Sequence, residues 1–172
     1  MIGYSIELEG IQEQIEALKR FPVDADERLY QAMQKSVITV RSNILPLVPV
    51  GVSARLKNSI GSEVIHEGYL SIIGKIGSSL KDEVYPSVME FGRKPGTMPP
   101  VDSLIRWVHL KIKPSAEKEY AVAFAIARKI KFHGIKAKEF MKEGWEKSRL
   151  QVNEFFAKAL EQIAEDLSNG RQ

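Results

Sequence analysis

The chain contains no cysteine. That absence removes disulfides, thiolate nucleophiles and Cys-based zinc sites together, and with them any thiol redox role. No uninterrupted apolar run approaches the ~20 residues a membrane-spanning helix needs. The opening Met1-Ile-Gly-Tyr-Ser-Ile-Glu7 lacks the charged and apolar regions of a signal peptide. The expectation is a protein that stays in the cytoplasm where it is made, with no membrane partner. A strong excess of one charge is also missing: 25 Lys and Arg stand against 22 Asp and Glu, a formal +3, too little to mark a dedicated polyanion binder. Histidine is scarce. His66, His109 and His133 are the three present, and they fall in a strand and at two helix ends with no metal-ligand spacing between them. No catalytic, metal or cofactor-binding residues are expected.

What is present is ordinary for a globular protein, with 44% hydrophobic and 27% charged residues in 172. A chain of that length suits one domain, residues 1–172, and buries roughly 70% of the surface its unfolded form exposes. The carboxylates Glu7, Glu9, Asp24, Asp26, Glu161 and Glu165 read as solvated faces and helix-start charges.

Residues 4–9 alternate apolar Ile6 and Leu8 with polar neighbours and predict a strand, ended by Gly10. A short helix over 11–20 follows. A longer one over 24–45 carries Leu29, Met33, Val37, Val40 and Ile44 at helical spacing. Pro46 and Pro49 break it. Residues 60–66 and 69–76 are rich in β-branched and apolar side chains, which predicts a hairpin turning at Glu67-Gly68. After an apolar segment over 84–91, residues 92–100 form a glycine-proline stretch that excludes regular structure. Three helices close the chain. The first, over 101–111, brings Leu104, Ile105, Trp107 and Val108 to the core; the second, over 116–132, is capped by Ser115 and ended by Gly134. The third, over 138–167, has a stripe of Met141, Trp145, Val152, Phe156, Ala159, Ile163 and Leu167. The fold class expected is α+β, a small antiparallel or mixed sheet packed against several helices, with a long C-terminal helix.

Ser53, Ser59, Ser78 and Ser79 have no G-x-S-x-G context, and Gly74-Lys75 lacks both the first glycine and the hydroxyl residue of a phosphate loop. Gly74-Lys75-Ile76-Gly77 is similar to the G-x-x-G loop with which K-homology domains clamp single-stranded nucleic acid. In that alternative the backbone amides of residues 74–77 and Lys75 cradle phosphate; otherwise the segment is a strand ending in a glycine turn. The basic run Arg128, Lys129, Lys131, Lys136 and Lys138 is either a phosphate or acidic-partner contact or an amphipathic helix end whose cations suit the negative terminus. A third reading, a small hydrolase, requires a deep polar pocket with perturbed ionisable groups.

Four segments occur in order: Val48-Pro-Val-Gly51 with Ala54-Arg-Leu-Lys-Asn-Ser-Ile60, then Gly74-Lys-Ile-Gly-Ser78, Tyr85-Pro-Ser-Val-Met-Glu-Phe-Gly92 and Gly134-Ile-Lys-Ala-Lys-Glu-Phe140. Their succession, over roughly residues 25–150, resembles the tail-component family of siphophages and their prophages. No single piece is specific; the ordered set is. The chain departs from the family pattern at Ser53-Ala54, where Thr-Gly is common, at Pro86, where alanine is, and at Ala137, near which proline is. The resemblance implies a tail-completion or head-tail joining adaptor that caps the tail tube and links it to the head. It also implies self-assembly into a ring of six subunits and contacts to tail-tube and head-completion or connector proteins. The protein would then occupy the host cytoplasm during assembly and the virion thereafter, meeting nucleic acid only as phage DNA passing through the ring. The expected contact site is the loop Gly92, Arg93, Lys94, Pro95, Gly96, Thr97 and Met98, because long loops inside compact domains tend to carry function; the alternative is a mobile surface connection, since loops are exposed by default.

Overall fold

The computed structural model describes residues 3–6, 25–51, 54–80 and 84–168. The helix expected over 11–20, the end of the first strand with Glu7 and Glu9, and Asp24 and Ser53 lie outside the described residues. The fold class is α+β, with an antiparallel sheet, six helices and a long C-terminal helix. In chain order the elements are β1 (Gly3–Ile6), α1 (Ala25–Ile44), α2 (Arg55–Ser59), β2 (Ile60–Gly68), β3 (Ser71–Ser78), α3 (Tyr85–Phe91), α4 (Asp102–Lys111), a 3-10 turn (Ala116–Lys118), α5 (Glu119–His133) and α6 (Phe140–Ser168). They form two compact units. The first comprises Met1–Val48, Ser59–Lys81 and Phe140–Gln172; the second comprises Pro49–Asn58 and Asp82–Glu139.

In the first unit β3 is the central strand, paired antiparallel to β1 on one side and β2 on the other. Along β3 the positions Gly74, Ile76 and Ser78 are buried and their neighbours are not, the period-two signature of a sheet with one covered face. α1 covers it. Asp26 and Glu27 suit the positive end of this helix and Arg41 its negative end. Leu29, Met33, Val37, Val40 and Ile44 are all buried, as their spacing predicts. A Cβ on Gly74 would stand 2.6 Å from both Met33 Sδ and Val37 Cγ1, so the glycine is what lets the helix lie this close to the central strand.

α1 also packs along α6. The buried face of α6 runs through Met141, Gly144, Ser148, Val152, Phe156, Ala159 and Ile163. Trp145, expected on that stripe, is only half-buried. Its place is taken by two small residues. A Cβ on Gly144 would lie 2.9 Å from Ile44 Cα, and Ser148 Oγ accepts from Asn43 Nδ2 at 2.9 Å while donating to the Gly144 carbonyl at 2.7 Å. The helices approach too closely there for an indole.

The hairpin turn falls at Tyr69-Leu70 rather than Glu67-Gly68. Gly68 pairs with Ser71 after an irregularity between His66 and Gly68, and Leu70 adopts φ 58° while remaining buried. Asp26 makes this turn stable: its Oδ1 accepts from Leu70 N at 2.6 Å, and its Oδ2 lies 2.8 Å from His66 Nε2. Asp26 is therefore a clamp between α1 and the hairpin tip rather than a solvated helix-start charge. Asp26→Ala leaves a strained turn amide without its acceptor and should cost about 1–3 kcal/mol, read as a lowered urea midpoint. An unchanged midpoint would show that the clamp carries no load.

In the second unit α4 packs on α5 through Val108, Ala123 and Ala127, each fully buried. His109 Nδ1 lies 2.5 Å from Glu119 Oε1 and joins the two helices at the surface. Expectation and structure part at three points here. Leu104 and Ile105 are half-buried and Trp107 is 42% exposed, so Val108 alone of the expected α4 set is core. Residues 116–118 form a 3-10 turn before α5 starts. The Ser115 hydroxyl makes no capping bond; its carbonyl accepts from Lys118 N at 2.8 Å instead.

Candidate interaction surface

Residues 92–100 are irregular, as expected, but they are anchored. Gly92 ends α3 with its N–H on the Val88 carbonyl and φ 76°, ψ −175°. Gly134 ends α5 in the same way, on the Ile130 carbonyl with φ 69°, ψ −159°. This backbone region belongs almost to glycine alone. The two helix ends then face each other: Arg93 and Ile135 exchange both N–H···O=C bonds at 2.8 Å, and Gly96 N donates to the Lys131 carbonyl at 2.8 Å. The Arg93 guanidinium turns back to the Thr97 carbonyl at 2.7 Å. Lys94, Pro95, Gly96 and Thr97 are exposed, while Arg93 and Met98 are partly covered. Of the two cations expected to reach a partner, Lys94 is the one presented outward, and Arg93 holds the loop in shape.

The segments that carry the resemblance meet in pairs. Ser59 and Ser78, from the first and second, share a buried hydroxyl bond of 2.8 Å, and Ser79 N donates to the Ser59 carbonyl. The third and fourth meet at the Arg93–Ile135 bridge, extended by Lys138 N on the Met89 carbonyl and Glu139 N on the Glu90 carbonyl. These motif residues are joints of the fold. Within the third, Glu90 is buried, and partial burial pushes the Tyr85 phenol above its ordinary value.

The segment over 74–77 is no loop. It lies inside β3 with partners on both sides, Gly74 opposite Val64 and Ile6, Gly77 opposite Gly61 and Gly3. Amides that serve a sheet from its centre cannot also cradle phosphate. The histidines are accounted for individually: His66 lies against Asp26 and the Tyr30 ring, His109 against Glu119, and His133 Nδ1 is 3.2 Å from the Lys129 carbonyl. Among the described residues no group of three or more His, Asp or Glu could hold a metal ion. A depression of about 150 Å³ between α1 and α6 is lined by cations, amides and apolar side chains, including Arg28, Lys35, Phe155 and Lys158, with no carboxylate, histidine or hydroxyl side chain in its wall. No described helix is long and apolar enough to cross a membrane.

The sequence did not reveal the apolar side chains that this fold leaves outside. Thirteen large hydrophobic residues are strongly exposed among those described, and ten belong to the second unit. On α5 the aromatic residues Tyr120, Phe124 and Phe132 are 59%, 42% and 58% exposed, while Ala123 and Ala127 face α4. Arg128 and Lys131 stand over the Phe132 ring at 5.8 and 5.9 Å, a cation–π arrangement. The four-residue spacing of Tyr120, Phe124, Arg128 and Phe132 is the signal that could have shown this face. Periodicity alone does not say whether the alanines or the aromatics turn inward. No family model, curated protein or solved structure matches the chain.

Proposed function

We propose that the protein is a structural component of a tailed-phage or prophage particle, a tail-completion or head-tail joining adaptor that works as a ring of copies and catalyses no reaction. The observation that carries this reading is the concentration of exposed aromatic and aliphatic side chains on the second unit, beside a loop fixed in shape at both ends. Large exposed apolar surface marks a site of association. The ordered set of motifs supplies the kind of assembly.

Electron microscopy of tail tubes from a phage lacking the protein should show added density at one tube end once purified protein is supplied, and expression in trans should restore plaques. Bare tubes together with failed complementation would overturn the reading. Lys94→Glu should change stability by only ~0.5 kcal/mol or less, because the side chain is exposed. It should nonetheless leave filled heads and unattached tails, because like charge at an interface costs several kcal/mol. Normal plaque formation with this variant would remove Lys94 from the contact.

A further inference from the structure

The exposed face of α5 carries cations among aromatics: Tyr120, Phe124, Arg128, Lys131 and Phe132. α6 carries an outward face of the opposite character. Glu143, Leu150, Glu154, Glu161 and Glu165 lie on its side away from the core, all exposed, with Leu150 at 73%. Lys147 on the same side is paired with Glu143 at 2.7 Å. The charges of the whole units follow the same division. Of the chain's 25 Lys and Arg and 22 Asp and Glu, the second unit takes thirteen and seven, leaving twelve and fifteen in the first. A near-neutral chain thus divides into one unit of net positive and one of net negative formal charge, and each charged helix face also exposes apolar side chains.

From this complementarity we propose that the chain associates head to tail with a second copy of itself, the aromatic and basic face of α5 on one copy docking along the acidic, Leu150-centred face of α6 on the next. The inference rests on the ring reading above and assigns its contact. A contact between two different faces is heterologous, and repetition of a heterologous contact closes a ring or extends a filament, whereas a contact between like faces stops at a dimer. Arg128 and Lys131 lie between Phe124 and Phe132 on one helix and Leu150 lies between Glu143 and Glu154 on the other, so a slipped pairing that sets the cations against Leu150 leaves charge desolvated without a partner and is disfavoured.

Sedimentation velocity of the full chain at low and physiological salt tests this. The wild type should form species larger than a dimer, weakened by salt. The variants Arg128→Glu/Lys131→Glu and Glu154→Lys/Glu161→Lys should each associate at least tenfold more weakly while keeping the wild-type melting temperature. An equimolar mixture of the two should regain association, because each supplies the face the other lacks and the reversed faces complement one another. Wild-type association unaffected by either variant would overturn the assignment and leave the ring reading standing. A wild type that stays monomeric throughout, or whose α5 variant instead loses binding to an oligonucleotide or to anionic vesicles, would overturn the second copy as occupant. The tail-tube assay decides the function separately.

Discussion

Replacing Gly134 with valine should unfold the junction between α3 and α5 and lower stability by about 2–6 kcal/mol. Two costs combine. The backbone conformation at φ 69°, ψ −159° is open almost only to glycine and costs any other residue roughly 1–3 kcal/mol. A Cβ there would also stand 2.0 Å from the Arg93 carbonyl oxygen, an overlap that can be relieved only by breaking the paired bonds between Arg93 and Ile135. Overpacking of this kind adds about 1–3 kcal/mol. Gly96 supplies the comparison: it also has positive φ, but a Cβ there would meet nothing within 4 Å, so Gly96→Ala should cost only the strain. Thermal unfolding of both variants checks the pair. Equal losses would show that the conformation, and not the bridge, makes Gly134 necessary.

Phe156→Ala should be the costliest truncation on α6, about 3–5 kcal/mol, because the ring is 5% exposed in the core of the first unit. Trp145→Ala should cost clearly less although it deletes more atoms, since the indole is only half-buried. Chemical denaturation of the two variants side by side gives the order. A larger loss at Trp145 would mean that the buried face of α6 is rotated toward the indole.

That contrast shows where the sequence was legible. The stripe of α1 could be read because its residues are apolar and their neighbours are not, and the long final helix because its period persists over seven turns. Gly144 and Ser148 could not be read as core, because they are buried by the approach of Ile44 and Asn43, a hundred or more positions earlier. Tyr69-Leu70 resembles strand more than turn, and the Asp26 carboxylate from α1, distant in sequence, holds the turn there. In the candidate site the glycine-proline composition marked the loop and its cations. Its anchoring to Ile135 and Lys131 depends on a contact about forty residues away, and the outward aromatics depend on which side of α5 meets α4.

The threading of the two units also sets an order of events during synthesis. α1 and α6 belong to the same unit, yet all of residues 49–139 is made between them. A chain emerging from its amino end therefore has every segment of the second unit available before Phe140 exists, while the side of α1 that receives α6, with Ile44 opposite the future Gly144, waits without its cover. Units that are complete early fold early. The second unit can take shape on the ribosome, and the first closes last, when the final helix is released. A chain truncated before α6 would hold a finished second unit and, in the first, an open apolar helix face, a surface for a chaperone or for aggregation.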